Sequence, residues 1–386
     1  MSSKSEYSHS KKKVSKKEKR RRRRRRILII EIILLIILLL FLFVWLKFGK
    51  INFQNIGNIV SNNLDEKTEK MLKGYTIIAV FGVDNRSMGH YDGGNSDSIM
   101  IASINNYTKE VKFVSIYRDT LMDVDGNGKY RKCNYAYNHG GPKESLKMLN
   151  RNLDLDIQDY VAVDFKAVVD AVDAVGGITI DSISEDEAVF MNVAYKPFID
   201  EELGTKTADV KPGTDVKVNG VQALCYCRVR YTSGDDFKRA SRQREVMQKI
   251  IAKAKKANPI ELNNLIDSLF GEISTSLSAT ELMGLATQLT SYQFGDSAGY
   301  PFDKTTMTLS KSVGSVVVPC TVESNVNKLY VYMFNDSSHQ CSDTVQSISK
   351  DVINKTGLSQ GDAVDYSQYE GTQVADPTTE TDSEGQ

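Results

Sequence analysis

The most apolar stretch of the chain lies near its start, at residues 27–46, and contains a single acid, Glu31. An apolar run of about 20 residues is long enough to cross the hydrocarbon core of a bilayer. Seven consecutive arginines, residues 20–26, come directly before it. Because flanking Lys and Arg side chains resist translocation, this pattern predicts a membrane helix with the N-terminus in the cytoplasm and the rest of the chain outside the cell.

A cleaved signal peptide and a nucleic-acid-binding patch both fit this segment less well. A signal peptide has a shorter apolar core, about 7 to 15 residues, and a small-residue cleavage site. Residues 43–53 (FVWLKFGKINF) offer no such site. Arginine runs do occur in nucleic-acid-binding patches, but here the run adjoins a spanning segment. We therefore interpret residues 1–26 as a basic cytoplasmic tail and residues 27–47 as a transmembrane anchor, and we expect no nucleic-acid partner.

A different pattern begins at Tyr75, where short runs of β-branched and aromatic residues alternate with turn residues. Such runs predict strands. The first three are residues 76–83, 98–104 and 110–116, and residues 105–109 form a tight hairpin-like link between the second and the third. This part of the chain therefore starts with neighbouring strands of one sheet.

Helical signals follow and alternate with further strands. Residues 142–153 begin with a proline after two glycines, which is a helix start signal. A strand-like run at 160–165, a helical run at 166–175 and another strand at 178–181 come next. The alternation predicts an α/β fold with a mixed central sheet flanked by helices, an α/β/α sandwich.

The later part of the folded region is richer in helices. Residues 235–256 predict one amphipathic helix, with further helices over 259–290. Residues 313–320 and 328–334 are predicted to be strands, and a last helix is predicted from Ser342. On the long helix, the apolar stripe consists of Val246, Ile250 and Ala254. Arg239 and Gln243 lie one turn apart on a shared polar face.

Composition and charge divide the chain further. Residues 48–74 look like a polar, partly helical stalk, and residues 75–357 like a folded extracellular part of one large or two smaller domains. Residues 358–386 have little apolar content and several acids, so we expect disorder. Residues 1–50 carry 16 Lys and Arg against three Glu, a net +13, and the neutral chain leaves −13 for the remainder. An arginine cluster in that acidic remainder needs a local explanation.

Two aspartates at strand ends form the first candidate site. Asp84 follows the first predicted strand and Asp97 precedes the second, so both are expected at the same edge of the sheet. Two carboxylates there suit a hard cation such as Mg²⁺, which binds one or two carboxylates together with phosphate oxygens. Aspartates at strand ends also commonly cap turns, so the pair alone does not establish a metal site.

Two further motifs hold polar groups near the same edge. Arg118 and Asp119 follow the third strand, and Asn134 lies close to two glycines and a helix start. Backbone N–H groups at a helix start suit an anion. Taken alone, Arg118 and Asp119 are equally well explained as a surface ion pair, and the Asn134 segment as an ordinary loop with a helix cap.

Arginines are concentrated between residues 228 and 243, and the cluster consists of Arg228, Arg230, Arg239 and Arg242, with Gln243 beside them. Guanidinium groups bind phosphate oxygens through paired hydrogen bonds, so the cluster predicts a diphosphate or pyrophosphate site. For Arg242 and Arg244 a solvated helix face is a simpler interpretation. The apolar neighbours Val229 and Tyr231 argue against that interpretation for Arg228 and Arg230.

Six of these segments carry a resemblance to a known family. They are GVDNR (82–86), NSDS (95–98), SIYRDT (115–120), KCNYAYNHGGP (132–142), DAVGGI (173–178), and RVRY with DFKRASRQ (228–243). In their order and approximate spacing, over about residues 75–257, the chain resembles the LytR-CpsA-Psr family of bacterial cell-wall enzymes. The short basic tail and the single anchor helix are similar to those of the family as well.

The resemblance implies an extracellular phosphotransferase. Such an enzyme moves a glycopolymer, for example teichoic acid or capsular polysaccharide, from an undecaprenyl pyrophosphate carrier in the membrane to peptidoglycan. It also implies an apolar pocket for the polyprenyl chain and Mg²⁺ held by Asp84 and Asp97. The pyrophosphate-binding positions that we assign are Arg86, Asn95, Arg118, Asn134, Arg228, Arg230, Arg239 and Gln243.

Phosphoryl transfer rests mainly on positioning and charge neutralisation, so the resemblance gives Arg118 a catalytic role. The general base stays open between Asp119 and Asp236. The chain departs from the family pattern at Asn95, where many members have arginine, and at Tyr117, where proline is usual. The loss of one cation keeps two alternatives open: a non-catalytic protein that binds polyprenyl phosphate or wall polymer, and a polyprenyl pyrophosphate hydrolase.

Five cysteines lie in the predicted extracellular part, where disulfides persist. Cys320 and Cys341 bracket a late segment and are expected to pair, and Cys133 is expected to pair with Cys225 or Cys227. The alternative is five reduced, buried thiols.

Overall fold

The computed structural model of the chain describes residues 49–84, 91, 94–230 and 234–370. The predicted cytoplasmic tail (1–26) and the whole predicted anchor (27–47) lie outside these residues, so the anchor stays a prediction. In the described ranges no helix is both long and apolar enough to cross a membrane. The described residues from Ile51 onward fall in one compact unit.

The strands of the described residues form one large sheet and three small two-stranded sheets. They are β1 (Asn52–Phe53), β2 (Tyr75–Asp84), β3 (Asn95–Asn105), β4 (Glu110–Ile116), β5 (Leu121–Asp123), β6 (Tyr130–Lys132), β7 (Asp159–Val163), β8 (Ile178–Ile183), β9 (Gly213–Val218), β10 (Ile273–Thr275), β11 (Gln293–Tyr300), β12 (Lys304–Ser310) and β13 (Gly314–Pro319). The large sheet has the order β1-β10-β7-β2-β3-β4-β11, and the two-stranded sheets are β5-β6, β8-β9 and β12-β13.

The helices surround this sheet. They are α1 (Glu66–Leu72), α2 (Asn134–Leu153), α3 (Phe165–Ala174), α4 (Glu185–Val189), α5 (Lys196–Leu203), α6 (Gly220–Arg228), α7 (Asp235–Ala254), α8 (Pro259–Leu269), α9 (Ala279–Thr287), α10 (Val322–Phe334), α11 (Asp343–Thr356) and α12 (Ser367–Glu370). A π-helical segment, Phe190–Tyr195, joins α4 to α5. Within α2 the backbone leaves helical geometry at Gly140 and Gly141, directly before Pro142.

The prediction of a mixed central sheet flanked by helices is confirmed. β2 pairs with β3 antiparallel and with β7 parallel. Because side chains alternate between the two faces of a strand, Ile101 of β3 belongs to the same buried cluster as Leu146 of α2. The next residue, Ala102, belongs to the opposite cluster, which includes Phe113 and contacts Met247 of α7. Both faces of the sheet are therefore covered, as in a sandwich.

Residues 328–334, predicted as a strand, form the second half of helix α10, so that prediction is wrong. Thr321 and Ser324 form a capping box, with the Thr321 backbone N–H donating to Ser324 Oγ at 2.8 Å. The run KLYVYMF is apolar on almost every side, and Leu329 and Tyr330 are fully buried. Such a run has no period that separates a buried helix from a buried strand.

The predicted stalk is partly helical, as expected, at α1, but its described residues from Ile51 onward belong to the folded unit instead of forming a separate segment. Asn52 and Phe53 of β1 pair in parallel with β10 at the edge of the central sheet. Ile59 and Leu72 are 4% and 5% exposed and belong to the main core. Gln158 bonds both backbone groups of Ile59, at 2.9 and 3.0 Å.

The acidic tail is ordered for longer than predicted. Residues 359–370 pack on the folded unit, and Glu370 is 2% exposed. Its Oε1 accepts a hydrogen bond from the Tyr117 hydroxyl at 2.6 Å and forms a buried ion pair with Lys304. The ring of Tyr366 packs against Phe237 with a centroid distance of 4.4 Å. Residues 371–386 lie outside the described residues.

Arg242 and Arg244 do not lie on a solvated face, which corrects the sequence interpretation. Arg242 is 1% exposed. Its Nε and Nη2 donate to Glu187 Oε1 at 2.9 and 2.7 Å, and its Nη1 donates to the Val229 carbonyl at 3.0 Å. Arg244 is 3% exposed and donates to the backbone carbonyl of Glu370 at 2.6 Å. Both arginines therefore connect α7 to neighbouring segments of the fold through buried hydrogen bonds.

We predict that Glu370→Ala destabilises the protein by about 3–5 kcal/mol, because it leaves the Lys304 ammonium buried without its carboxylate. Urea unfolding of the full chain in detergent measures this loss. The control is the double variant Lys304→Met, Glu370→Leu, which replaces both charges by apolar groups and is expected to recover most of the stability. Equal losses in the single and the double variant would contradict the role of the ion pair.

The second prediction concerns pH. Burial acts to raise the pKa of Glu187, but hydrogen bonds from the Ser184 N–H and Arg242, with the charges of Arg242 and Lys238, lower it to about 2. A carboxyl whose folded pKa is depressed stabilises the fold above its unfolded pKa and loses this contribution as the pH falls toward the folded value. The shift from 4.5 corresponds to about 3 kcal/mol.

We therefore expect Glu187→Gln to be less stable than wild type at neutral pH and the gap to narrow as the pH falls from about 5 to about 2. Urea unfolding at several pH values measures it. Glu201→Gln removes an exposed acid of α5 and serves as the control, with no pH-dependent gap. A gap for Glu187→Gln that stays constant over this range would show that the carboxylate charge is not involved.

Candidate active site

A cavity of about 920 Å³ lies between the central sheet and the helices α3, α6, α7 and α8. Val80 and Gly82 of β2 and Met100 of β3 line it from the sheet side. From the helices come the apolar side chains of Phe165, Ala167, Val168, Ala171, Leu224, Val246, Met247, Ile250, Ile251 and Leu269. Cavities of this size that are mostly apolar with a few polar groups are typical binding sites.

The polar groups of the cavity are at one end. Along α7, the polar residues Arg239 and Gln243 come before the apolar residues Val246 and Ile250. The helix axis rises about 16 Å from residue 239 to residue 250. Asp97 of β3 meets this polar end, because Arg239 Nη2 donates to the Asp97 carbonyl at 3.4 Å. The cavity therefore joins a cationic mouth to an apolar interior.

Three guanidinium groups converge on one carboxylate at this mouth. Asp236 Oδ1 lies 3.4 Å from Arg230 Nη2 and 3.3 Å from Arg239 Nη2, and its Oδ2 lies 3.9 Å from Arg118 Nε. Arg118 Nη1 also forms a close ion pair with Asp97 Oδ1. The acids hold arginines from a strand end, a loop and a helix in one place.

Arg118 is fixed by its backbone neighbours. Tyr117 N–H donates to the Tyr300 carbonyl at 3.1 Å, and its carbonyl accepts from Thr120 N–H at 2.8 Å. A Cβ at residue 299 would lie 1.9 Å from the Tyr117 hydroxyl oxygen, so glycine is needed there. Tyr117 therefore holds the turn by burying its ring against Gly299.

Arg228 reaches the cavity from the end of α6. Its guanidinium carbon lies 4.2 Å from the ring centre of Phe165 and 6.0 Å from that of Tyr195. Such cation–π contacts orient a guanidinium while leaving its edge available for hydrogen bonding. Arg228 and the residues it stacks on all line the cavity.

The pKa values of the two proposed bases shift in opposite directions. Burial and the nearby charge of Asp236 raise the pKa of Asp119. Burial acts on Asp236 in the same sense, but the charges of Arg239, Arg118 and Arg230 lower its pKa. Asp236 is therefore ionised at neutral pH and is the weaker base of the two.

The cluster also carries a sign of an anion site. Arg239 is 5% exposed, and its Nε has no hydrogen-bond partner within the described ranges. Burial lowers the pKa of Arg239, and the neighbouring guanidinium groups of Arg118 and Arg230 act in the same direction. An additional anion at the mouth would satisfy this donor and offset the repulsion between the arginines.

The structure brings together most of the predicted pyrophosphate-binding residues. The ones that line the cavity are Asn95, Arg118, Arg228, Arg230, Arg239 and Gln243, together with the predicted metal ligand Asp97. Arg86 and the side chain of Asp84 lie outside the described part of the chain. The backbone of Asp84 pairs with that of Asn95, so its position belongs to the same sheet edge.

Three predicted residues do not line the cavity. Asp236 lies among the arginines without reaching the cavity, and Asp119 lies 3.8 Å from Arg118 Nε and pairs with Lys132 at 3.1 Å. Asn134 begins α2 and donates its backbone N–H to the Arg118 carbonyl at 3.2 Å. Asn138, one turn later, lines the cavity instead and donates to Asn95 Oδ1 at 3.0 Å. The four-residue helical spacing in NYAYN is the signal that identifies it.

The alternative of five reduced, buried thiols is confirmed and the expected disulfide pairings are wrong, because all five cysteines are free and buried. Cys133 Sγ lies 3.3 and 3.2 Å from the carbonyls of Tyr117 and Arg118 and supports the Arg118 turn. Cys320 contacts the Val318 carbonyl, whereas Cys341 contacts Asn327. The paired positions expected from the sequence therefore lie in different surroundings.

Comparison with known proteins finds several relatives of the chain. Biofilm regulatory protein A of Streptococcus mutans is 37% identical over 185 residues, which are 46% of this chain and 43% of that protein. Polyisoprenyl-teichoic acid–peptidoglycan teichoic acid transferase TagU of Enterococcus faecalis is 28% identical, over 54% of this chain and 64% of TagU. The matches thus span less than two thirds of these two relatives. The TagU of Bacillus mycoides is 30% identical, over 64% of this chain and 76% of that protein.

Solved structures share the fold. Protein gbs0355 of Streptococcus agalactiae superimposes with a TM-score of 0.58 at 26% identity, covering 81% of this chain and 98% of that structure. TagT bound to LIIa-WTA gives a TM-score of 0.52 at 19% identity, covering 80% of this chain and 100% of that structure. Residues 49–297 match the model of the LytR_cpsA_psr family. With the site motifs and the cavity in this region, the chain belongs to the LytR-CpsA-Psr family.

Proposed function

We propose that the protein is a membrane-anchored extracellular phosphotransferase that moves a glycopolymer from an undecaprenyl pyrophosphate carrier to peptidoglycan. The observation that carries the proposal is the cluster of arginines at the mouth of an apolar cavity of about 920 Å³. A polyprenyl pyrophosphate has the matching build, a doubly charged head on an apolar chain. The relatives named as teichoic acid transferases support the same substrate class.

The residues of the mouth suit phosphoryl transfer. Arg118, Arg228, Arg230 and Arg239 would bind the pyrophosphate oxygens and offset the negative charge that develops on them. A sugar hydroxyl of peptidoglycan forms the new P–O bond to the phosphorus next to the glycopolymer. The P–O bond to the carrier phosphate breaks, so polyprenyl monophosphate leaves and the polymer becomes joined by a phosphodiester. The hydroxyl proton goes to a carboxylate base.

The base stays open between Asp119 and Asp236, neither of which lines the cavity, and the opposite pKa shifts of the two carboxyls favour Asp119. Its raised pKa makes it the better proton acceptor near neutral pH. Asp236 is engaged by the three guanidinium groups of Arg118, Arg230 and Arg239. We therefore propose that Asp236 positions these arginines and that Asp119 takes the proton through an intervening water.

Mg²⁺ is part of the proposal. The side chain of Asp97 is 24% exposed at the mouth, and its carboxylate together with phosphate oxygens is the kind of ligand set that Mg²⁺ prefers. Asp97 and Asp84 would hold the ion, which would supply further charge neutralisation on the pyrophosphate. Asn95 stands where many family members have arginine, and with Asn138 it offers neutral hydrogen-bond donors at that point.

The anchor helix and basic tail would keep this mouth near the outer leaflet, where the carrier lipid resides. Undecaprenyl-linked substrate cannot leave the bilayer, so tethering raises its local concentration. The rival function is a non-catalytic protein that binds lipid-linked polymer, and the replacement of arginine by Asn95 is the observation that favours it. Hydrolysis of the pyrophosphate is the third outcome that an assay distinguishes.

We predict that Arg230→Ala lowers the rate of transfer by about 10²- to 10³-fold, the usual cost of removing one donor from a transition-state charge site. The assay uses the full chain, Mg²⁺, a polyprenyl-pyrophosphate-linked glycopolymer and peptidoglycan, with labelled polymer bound to peptidoglycan as the readout. Arg131→Ala is the matched control, because Arg131 does not line the cavity. Released polymer phosphate without attachment would indicate hydrolysis, and neither product would indicate a binding protein.

A further prediction concerns the apolar interior. Ala171→Trp fills part of the cavity, so we expect weaker binding of a fluorescent polyprenyl phosphate to the full chain, while arginine-dependent binding of short-chain prenyl phosphates is retained. Ala208→Trp adds the same side chain at an exposed position and serves as the control. Unchanged affinity of Ala171→Trp for the long-chain lipid would show that the polyprenyl chain binds outside this cavity.

A further inference from the structure

A second group of metal-binding side chains lies apart from the arginine mouth, and none of its members lines the cavity. Asp154 ends helix α2, and His339 and Cys341 lie between α10 and α11. Their ligand atoms all lie within 4.8 Å of one another. The three residues are 0%, 5% and 7% exposed. Segments nearly two hundred residues apart therefore bring a carboxylate, an imidazole and a thiol to one buried point.

The imidazole of His339 is held in place but lacks hydrogen bonds. Its ring stacks on Tyr330 with centroids 3.4 Å apart and an angle of 7°. Neither ring nitrogen has a hydrogen-bond partner in the part of the chain that the structure describes. Asp154 Oδ2 lies 3.6 Å from Nε2, beyond hydrogen-bond distance. The Asp154 carboxylate is therefore an ion-pair neighbour of the imidazole and not a hydrogen-bond partner, and a ligand that accepts the nitrogen lone pair would be favourable.

The spacing fits a metal ion between the two groups. Bonds of about 2.0–2.2 Å to a tetrahedral ion place two ligand atoms about 3.4 Å apart. The 3.6 Å between His339 Nε2 and Asp154 Oδ2 is close to this value. A hydrogen bond between the two groups would instead require a shorter distance. The ring and the carboxylate are thus placed as two ligands of one ion.

The carboxylate is also oriented as in metal sites. Asp154 Oδ2 accepts from the Ser342 backbone N–H at 2.7 Å, and Oδ1 accepts from Asn62 Nδ2 at 2.7 Å. Outer hydrogen bonds of this kind fix the orientation of ligating carboxylates. Asn327 Oδ1 accepts a hydrogen bond from Cys341 Sγ at 3.4 Å, so another oxygen atom of the kind that binds metals lies beside the thiol.

We propose that Asp154, His339 and Cys341 bind one Zn²⁺ ion. A mixed set of oxygen, nitrogen and sulfur donors suits Zn²⁺, which binds carboxylate, imidazole and thiolate, whereas Mg²⁺ and Ca²⁺ take oxygen ligands only. The ion would join the end of α2 to the loop that follows α10. The role is structural and does not depend on the proposed transferase activity.

The test uses the full chain in detergent after removal of metal with a chelator. Native mass spectrometry after addition of Zn²⁺ is expected to show one bound ion, and the melting temperature is expected to rise. With Co²⁺ in place of Zn²⁺, we expect the near-ultraviolet absorption of a thiolate–cobalt bond. Absence of both bound zinc and the melting shift in the wild type would overturn the proposal without any variant.

Two variants identify the ligands. Cys341→Ser is expected to abolish the thiolate–cobalt absorption, and His339→Gln to abolish zinc binding. Cys225→Ser removes another buried thiol and is the matched control, with absorption and binding retained. Unchanged zinc binding in His339→Gln, or thiolate–cobalt absorption that persists in Cys341→Ser, would show that the ion binds elsewhere and would refute the assignment.

Discussion

The candidate site depends on holding several positive charges close together. Arg118, Arg230 and Arg239 would repel one another if they were left alone in a partly buried mouth, because Coulomb interactions strengthen as water is excluded. Asp236 lies between them, within 3.3–3.9 Å of each guanidinium group, and Asp97 pairs with Arg118. The result is a mouth that stays assembled but retains capacity for an additional anion.

A second layer of buried charge positions the elements that carry these arginines. Tyr117 connects the Arg118 turn to the Glu370–Lys304 pair, and Arg242 connects α7 to Glu187. Buried ion pairs contribute little stability compared with apolar packing of the same volume, but breaking one is costly. In this fold their role is therefore to fix the positions of the elements around the site: they connect the C-terminal segment to the Arg118 turn and α4 to α7.

The pattern of the sequence predicted the elements that have clear local signals. Residues 110–116 are a short β-branched run bounded by turn residues, and the last helix begins at its cap, Ser342; both predictions are confirmed. The strand expected at 328–334 is wrong because that run is buried on nearly all sides, which removes the period. Residues 51–74 and 359–370 look polar, yet a few side chains, such as Ile59 and Glu370, attach them to the core. Local composition does not reveal such long-range attachments.

By itself, the sequence determined which chemical groups are present. Strand order predicted that Asp84, Asp97 and Arg118 lie at one sheet edge, helix spacing placed Arg239 and Gln243 on one helix face, and the family resemblance joined these groups into one site. Only the tertiary structure decided which of them face a common space. It left Asp119, Asp236 and Asn134 off the cavity wall, and it placed Asn138 on that wall. It also kept the cysteines apart. The physical reason is that a cavity is bounded by side chains from distant segments, and its existence depends on how they pack.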